Sequence, residues 1–409
     1  MIPAGSEAVN AAAPSRSATC RRGSQWRNRP GTEFTLEKDS MKAPNFRALP
    51  ALAACAALAA GVLAQPLATH GSPSTLYVAP GGAGTSCTAS APCGSIQQAI
   101  NLAPAGGTVR VAAGFYHQII AIEKPITLLG SGTNTVVDGW GLDPGVPLLG
   151  TVYIGGPGGT TVPGNIGGNV TIQGFTFQNP NPDAQTYTGV SPLEPILIGV
   201  YDGNPNDTIT ITHNQLLEGT SDPNTSTDFP IGLDTLFSSA ALVADHNTVQ
   251  GFFQGMLLED NGPFSVSHND FANMIANTDG VTNYPGEGIF VLDDTPGYPT
   301  TSGEIDHNSF SGYAGDGVNL GSEYGPGTLE NVEVDHNQFN LGGFAGAGAI
   351  NLRARDGGTV SDITLDHNVG SVASPTVPVT QDSSPAPPDH PTGGTISNVT
   401  ESDDNITVS

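Results

Sequence analysis

Basic and aromatic residues are scarce in this chain. It carries 12 Lys and Arg against 38 Asp and Glu, and aromatic residues make up only 6% of it. Beyond residue 64 the basic residues are only Arg110, Lys124, Arg353 and Arg355, while just four acidic residues precede that point, so the remainder has a net charge of about −30. Such a charge repels nucleic acids and anionic lipid head groups. We therefore expect no nucleic-acid partner and no electrostatic docking to membranes.

Long apolar runs are also missing after residue 64, so we expect no membrane span. Charged residues make up only 12% of the chain, whereas it contains 54 Gly and 33 Pro. Helix-rich domains avoid this composition, and at 37% hydrophobic residues the chain still has enough apolar side chains to form a core. The composition favours many short strands joined by turns.

One apolar segment stands near the start of the chain. Lys42 and Arg47 follow Met41 and precede an Ala/Leu run that reaches Ala64, which is typical of a signal peptide. We therefore predict an upstream extension, non-native or disordered, at 1–40, a signal peptide at 41–64 and a secreted protein beginning at Gln65. Anchoring as a lipoprotein at Cys55 is the less favoured alternative, because the apolar run continues past that cysteine.

Cysteine is almost absent from the predicted secreted part. Of the four cysteines, Cys20 and Cys55 precede residue 65, which leaves Cys87 and Cys93. An even pair in an exported protein predicts one disulfide. It would fix a turn within 65–94, which we interpret as an N-terminal strand and a disulfide-pinned turn.

A His-Asn repeat organises the rest of the chain. Six of the nine histidines precede an asparagine, each after an alternating apolar stretch, with spacings of 33, 22, 39, 29 and 31 residues. The pairs are His213-Asn214, His246-Asn247, His268-Asn269, His307-Asn308, His336-Asn337 and His367-Asn368. A second signature, Gly-apolar-x-apolar, follows four of the asparagines and begins at Gly255, Gly288, Gly317 and Gly348. Coils of constant cross-section with loops of variable length would produce this pattern.

These repeats resemble the right-handed parallel β-helix (pectin-lyase-like) superfamily, over most of the chain from Leu76. The resemblance implies an all-β, single-stranded right-handed parallel β-helix at 95–372, followed by a Pro/Ser/Thr-rich loop and a last coil at 373–409. It also implies a short N-terminal helix near Ser95 that caps the coils. The asparagines would form a ladder inside one turn, and the histidines would line that turn.

The superfamily contains lyases, hydrolases, esterases, epimerases and non-catalytic surface proteins, so the fold leaves the chemistry open. No complete pectate lyase, pectinesterase or polygalacturonase signature is present in the sequence. The chemistry therefore depends on which side chains lie together on one face of the coils.

Aligning the coils on the glycine of the second signature places polar side chains in two columns. The first contains Glu259, Leu292, Gly321 and Arg353, and the second contains Asn261, Asp294, Glu323 and Arg355. Strand alternation predicts that both columns face solvent. Because two of the four basic residues of the coil region fall here, this face is the predicted substrate groove.

Three interpretations of this face remain open. In a lyase, Arg353 or Arg355 would remove a proton while calcium bound by Asp293, Asp294 or Glu323 neutralises a uronate. In a hydrolase, Asp294 and Glu323 would supply the two carboxyl groups. The third interpretation is a surface ladder of ion pairs, such as Glu323 with Arg355, without catalysis.

We therefore predict a secreted β-helix protein that engages an extracellular polysaccharide, as a lyase or a glycosidase. The alternative is a non-catalytic surface or matrix protein. Predicted substrate contacts are Glu259, Asn319, Asn351, Tyr284 and Tyr324. We expect a monomer with no organic cofactor, and calcium as the candidate metal.

Overall fold

The computed structural model describes residues 74–409 except 141, 143–149, 156–163, 181–194, 220–228, 279–282, 285, 297–299, 301, 314, 343–347, 375–377 and 387–389, and not the side chains of 277, 278, 283, 284, 313 and 342. The predicted upstream extension and signal peptide lie outside the described residues. Within these residues the chain forms one helix and three long sheets, named A, B and C below.

The strands of each sheet follow one another in spatial order. Sheet A contains β2 (Ala83–Thr88), β3 (Ala91–Cys93), β1 (Thr75–Val78), β4 (Gly107–Val111), β7 (Ile126–Leu129), β10 (Val170–Gln173), β13 (Thr208–Thr212), β16 (Ala241–Asp245), β19 (Phe264–Ser267), β24 (Gly303–Asp306), β27 (Thr328–Asp335), β30 (Thr359–Asp366) and β33 (Thr395–Ser402). Sheet B contains β5 (Gly114–His117), β8 (Thr135–Asp138), β11 (Thr176–Gln178), β14 (Gln215–Leu217), β17 (Thr248–Gln250), β20 (Asp270–Ala272), β25 (Ser309–Tyr313), β28 (Gln338–Gly342), β31 (Val369–Val372) and β34 (Asn405–Val408). Sheet C contains β6 (Ile120–Ile122), β9 (Val152–Gly155), β12 (Ile196–Tyr201), β15 (Ile231–Leu236), β18 (Gln254–Glu259), β23 (Glu287–Leu292), β26 (Val318–Ser322), β29 (Ile350–Ala354) and β32 (Val379–Asp382). A small antiparallel pair, β21 (Asn277–Thr278) and β22 (Asn283–Tyr284), stands apart from them.

Apart from the antiparallel pairs β2–β3 and β21–β22, strands that pair belong to successive coils rather than to hairpins. In one coil β13, β14 and β15 follow each other along the chain, and they pair in parallel with β16, β17 and β18 of the next coil. Each coil thus contributes one strand to each sheet, which is the arrangement of a parallel β-helix. The predicted fold is confirmed.

Alternate side chains of each strand point inward and fill the interior between the three sheets. In sheet A, Val266, Ile305 and Val334 occupy matching inward positions and are buried. In sheet B, the rings of Phe271, Phe310 and Phe339 stack at 5.0 and 4.9 Å. Like side chains recur at each level because the coils repeat at the strand spacing, so the core continues through the stack.

The N-terminal end of the stack is closed by the helix α1 (Ile96–Leu102). Ser95 caps it by accepting a hydrogen bond from the backbone N–H of Gln98, and Ile96, Ala99 and Ile100 form its buried face. Nearby, Cys87 and Cys93 form the predicted disulfide. Among the described residues, no helix has the length and apolar character needed to cross a bilayer.

The six repeat asparagines form a buried ladder. The side-chain oxygen of Asn269 accepts hydrogen bonds from the backbone and side-chain N–H groups of Asn247, and the same contacts recur from Asn214 to Asn368. Asn368 continues the ladder to Asp404. Every coil thereby satisfies backbone groups that its turn would otherwise leave unpaired.

The six preceding histidines stack on the outside of this turn. Their rings lie parallel with centroids 4.8 to 5.0 Å apart, and each residue has a left-handed φ of 53° to 54°. In four of them Nδ1 lies 2.7 to 2.9 Å from the preceding aspartate, namely Asp245, Asp306, Asp335 and Asp366. The stacking and these contacts offset the strain of the turn.

Candidate functional site on sheet C

The outer face of sheet C carries the candidate site. The strand register pairs Glu259 with Leu292, Leu292 with Gly321 and Gly321 with Arg353, so the first predicted column exists as aligned from the sequence. A parallel column beside it contains Phe290, Asn319, Asn351 and Thr380. Side chains far apart in sequence therefore lie one strand spacing apart on this face.

The prediction that both columns are open to solvent is wrong. Leu292 is only 6% exposed, and Asn261 and Glu323 are each 2% exposed. The side chains of Arg353 and Arg355 retain 26% and 16% exposure. Alternation correctly places these side chains outside the core, but it cannot foresee how far contacts with side chains of neighbouring coils bury them. A covered polar face has a lower dielectric constant, which strengthens its electrostatic interactions.

Glu287 lies at the centre of this face at the start of β23. Its carboxyl group accepts hydrogen bonds from Nε2 of Gln254 at 3.1 Å and from Nδ2 of Asn319 at 2.9 Å. Burial raises the pKa of Glu287 to about 7, although the positive charge of Arg353 acts in the opposite direction. A large fraction of Glu287 is consequently protonated near neutral pH.

Asp316 occupies the equivalent position of the next coil, just before β26. Its carboxyl group accepts hydrogen bonds from the backbone of Gly348 at 2.7 Å, from Nδ2 of Asn351 at 3.0 Å and from Arg353 at 3.2 Å. Burial raises its pKa, and these donors oppose the rise. Two buried carboxyl groups, one on each of two neighbouring strands, thus share a face with one guanidinium group.

Both arginines are held by pairs of carboxylates. Arg353 contacts Asp316 at 3.2 Å and Glu323 at 3.5 Å, while Arg355 contacts Glu323 at 3.2 Å and Asp382 at 2.6 Å. Burial by itself would lower the pKa of Arg353, but the attraction of Glu323, Asp316 and Glu287 raises it overall. An arginine base has to lose its proton, and this environment makes that loss harder.

Asp293 and Asp294 fasten turns at the end of β23. Asp293 accepts hydrogen bonds from the backbone N–H groups of Thr300 and Thr328, and Asp294 accepts them from Glu323 and Tyr324. Burial raises the pKa of Asp293 to about 6 and that of Asp294 to about 7.

The predicted calcium ligands can be tested against these contacts. Calcium prefers six to eight oxygen ligands, but the carboxylates of Asp293 and Asp294 already accept backbone N–H groups, and Glu323 contacts both arginines. Within the described residues the three do not form a joint cluster of metal-ligating atoms. This donor set does not fit calcium as it stands. Calcium binding at these three residues therefore stays a prediction.

The other predicted contacts are distributed around this centre. Glu259 is half-buried in the same column as Arg353 and has its own interaction partners. Tyr324 is 58% exposed, with its ring 5.0 Å from the ring of His390. The side chain of Tyr284 lies outside the described residues. Asn319 and Asn351 are buried and bind Glu287 and Asp316.

Sequence reasoning overlooked Glu287 and Asp316. Both stand immediately before a glycine of the second repeat signature, in the triplets Gly286-Glu287-Gly288 and Gly315-Asp316-Gly317. The alignment of the coils on the second signature starts at its glycine, so it does not include the residue before that glycine. A recurring acidic residue between two glycines at the start of a strand was the available signal.

Comparisons with known proteins identify structures of similar architecture. No protein-family model matches the chain, and no curated protein matches its sequence. Similar solved structures include a pectin methylesterase from carrot, with 12% identity, a TM-score of 0.34 and coverage of 81% of this chain and 82% of that chain. A tailspike protein double mutant of E. coli bacteriophage HK620 in complex with a pentasaccharide shares 14% identity at a TM-score of 0.41, over 77% of this chain and 64% of that chain. The complex of XylC with xylose shares 10% identity at a TM-score of 0.37, over 76% of this chain and 70% of that chain.

These identities and TM-scores are too low to transfer an activity. The fold is established by the strand register, in which each coil adds one parallel strand to each of three sheets. The chain is a parallel β-helix, as the sequence predicted.

Proposed function

We propose that this protein is secreted and hydrolyses a glycosidic bond of an extracellular polysaccharide at the outer face of sheet C, with Glu287 as the proton donor. The observation that carries the proposal is the buried carboxyl group of Glu287, whose pKa is raised to about 7. A carboxylic acid that remains protonated near neutral pH is what a glycosidase needs to protonate a leaving oxygen.

Asp316 is the partner carboxyl group in this proposal. It occupies the position of the next coil that is equivalent to Glu287, just before β26, and neighbouring coils are about 4.8 Å apart. Retaining glycosidases hold their two carboxyl groups about 5 to 5.5 Å apart. Arg353 contacts Asp316 at 3.2 Å and supports its ionised form. Burial still raises the pKa of Asp316 overall. We assign Glu287 as the acid and Asp316 as the carboxylate because Arg353 contacts Asp316 directly.

A ligand would find unused polar groups on this face. The side-chain oxygen of Asn319 is buried without a hydrogen-bond donor within the described residues. It can accept a hydrogen bond from a sugar hydroxyl group. Arg353 and Tyr324 are the partly exposed side chains next to the cluster, and an aromatic face can stack on a sugar ring. The net charge near −30 favours a neutral glycan over a polyuronate.

The lyase interpretation is less favoured by the same geometry. It needs Arg353 or Arg355 as a base, but two carboxylates bind each of them and the pKa of Arg353 is raised. Asp294 and Glu323 are a weaker pair for hydrolysis than Glu287 and Asp316, because the first accepts backbone N–H groups and the second contacts both arginines.

One observation favours a non-catalytic alternative. Every carboxyl oxygen of Glu287 and Asp316 already accepts a hydrogen bond within the protein, and the two residues are only 7% and 1% exposed. A satisfied, covered network can serve to hold neighbouring coils in register without reacting. A protein of this kind would bind a polysaccharide, or act as a spacer, through its surface.

The decisive experiment is an activity screen of the full chain against neutral and acidic polysaccharides, with calcium or with chelator. We expect new reducing ends without unsaturated products. Glu287→Gln should reduce the rate by about 10² to 10⁴, whereas Glu333→Gln, an exposed change on sheet A, should leave it unaltered.

Other outcomes would reject the proposal. Unsaturated products that disappear in Arg353→Ala would establish a lyase. Equal activity of Glu287→Gln and the wild type would remove Glu287 from the mechanism. A folded protein that cleaves none of the polysaccharides, but binds some of them, would establish the non-catalytic alternative.

A further inference from the structure

A second pair of buried carboxyl groups lies away from the candidate site. Asp202 follows β12 directly, and Asp207 precedes β13, with the segment Gly203-Asn204-Pro205-Asn206 between them. Asp202 is 0% exposed and Asp207 is 4% exposed. Aspartate is rarely buried without a partner, so the surroundings of this pair have to account for its charge.

Only one oxygen of each carboxyl group has a donor. Oδ1 of Asp202 accepts the backbone N–H groups of Ile166 and Asn204 at 3.3 and 3.2 Å, and Oδ1 of Asp207 accepts Nδ2 of Asn204 at 2.8 Å. The Oδ2 atoms of both aspartates are buried and receive no hydrogen bond within the described residues. Asn204 donates a hydrogen bond to each of the two carboxyl groups, which places them next to each other. Two buried acceptors without a donor among the described residues therefore lie on either side of Asn204.

This arrangement is unfavourable for two negative charges. Burial raises the pKa of Asp202, and contact with Asp207 raises it further. Lys124, Arg353 and Arg355 do not compensate the pair, because each binds other groups. An uncompensated buried charge costs several kcal/mol. A cation, or a proton shared between the carboxyl groups, would remove this cost.

We propose that Asp202 and Asp207 bind one calcium ion through their Oδ2 atoms. The donors are oxygens alone, with neither imidazole nor thiolate among them, which is the ligand type that calcium prefers over zinc. Asn165 adds a side-chain oxygen close by, 3.4 Å from Nδ2 of Asn204. Water would complete the coordination. Sites with so few charged ligands bind calcium at about 10⁻⁴ to 10⁻³ M, the range of extracellular modules.

The ion would lie in a turn whose backbone is bonded to the preceding and the following coil. The backbone of Asp202 forms a bridge with Gly164 of the preceding coil, and its carbonyl oxygen accepts the N–H groups of Ser239 and Ala240 of the following coil. Asp207 accepts the backbone N–H of Ala241 on the same following coil. Calcium at this point would fasten the turn between sheets C and A, and stability would depend on its concentration.

The test is thermal unfolding of the full chain at pH 8 with chelator and with increasing calcium. At calcium about one hundred times the Kd, the wild type should unfold about 5 °C higher than with chelator. Asp207→Asn should show no calcium shift. With chelator it should be at least as stable as the wild type, because one of two repelling charges is gone. Asp202→Asn should behave in the same way.

Two controls locate the effect. Asp362→Asn removes an exposed acidic charge on sheet A and should keep the full calcium shift. Asp294→Asn removes a ligand of the other predicted calcium site and should also keep it. A wild type without any calcium shift would overturn the proposal, as would a shift that survives in Asp207→Asn. A shift that is lost in Asp294→Asn alone would assign the ion to the other site.

Discussion

Asn319 donates a 2.9 Å hydrogen bond from its side-chain amide to the buried carboxyl group of Glu287 on the preceding coil. Asn351 makes the corresponding contact to Asp316, at 3.0 Å, one coil further along. The same amide-to-carboxyl contact thus occurs at two successive levels of sheet C, each time from one coil to the one before it. This repetition places two carboxyl groups of similar environment side by side, with Arg353 contacting one of them.

The stability of the protein should depend on pH through Glu287. Its pKa is raised from 4.5 to about 7 in the folded state, so this group contributes stability that is complete below pH 4.5 and is lost as the pH rises through about 7. Glu287→Gln cannot ionise. The variant should therefore gain stability relative to the wild type between pH 5 and pH 8, by at most about 3 kcal/mol.

Urea unfolding of both proteins at several pH values measures this difference in the free energy of unfolding. The other titrating groups are the same in both proteins, so their contributions cancel when the two values are subtracted. Glu333→Gln is the matched control, because Glu333 is exposed. A stability difference between Glu287→Gln and the wild type that is constant across this range would contradict the raised pKa.

Removal of Arg353 should destabilise the fold. In Arg353→Met the carboxylates of Asp316 and Glu323, whose side chains are 1% and 3% exposed, lose their shared partner. We expect a loss of about 3 kcal/mol at pH 8, at the low end for buried pairs because Arg353 is 26% exposed. The loss should be smaller at pH 5, since Asp316 with its raised pKa can take up a proton.

Denaturant unfolding of Arg353→Met reports this loss directly. Arg110→Met, a change at an exposed arginine in sheet A, should alter the free energy of unfolding by no more than about 0.5 kcal/mol. If Arg353→Met is as stable as Arg110→Met, the carboxylates do not depend on this arginine.

The asparagine ladder should be sensitive to any single gap. Asn269→Ala removes the donor to Ala244 and Asn308 and the acceptor for Asn247, all of them buried. Since the remaining groups cannot reach water, we expect a loss of about 2 to 4 kcal/mol. Asp270→Ala changes the next, exposed residue and should cost about 0.5 kcal/mol or less. Thermal unfolding of the two variants compares them, and equal melting temperatures would show that the ladder is dispensable.

His367 should titrate above its ordinary value of 6.5. His367 donates a hydrogen bond from Nδ1 to the carboxylate of Asp366, and this bond and the charge of that carboxylate raise the pKa of His367. The pair therefore contributes stability below pH 6.5 that is lost as the pH rises through the raised pKa. NMR titration should show a lower pKa of His367 in Asp366→Asn than in the wild type, whereas Asp306→Asn, which removes the partner of His307, should leave His367 unchanged. A wild-type pKa at or below 6.5 would refute the contact.

Much of the architecture was predictable because it repeats. The six His-Asn pairs predicted coils, and the asparagine ladder and histidine stack lie where that pattern placed them. The column from Glu259 to Arg353 was also predicted, since strand register follows from the recurring glycine. Burial of this face was not predicted, because it depends on contacts between side chains of neighbouring coils.

The sequence by itself determined the parallel β-helix, its helical cap, its disulfide and the alignment of its coils. The alignment of the coils follows from local alternation and the recurring glycine, the disulfide from an even pair of cysteines, and the fold and its helical cap from the resemblance that the repeats carry. Only the tertiary structure brought Glu287, Asp316 and Arg353 together, and only it enclosed Asp202 with Asp207. Their charge states depend on burial and on neighbours from other coils, and those are properties of the assembled fold rather than of any one segment.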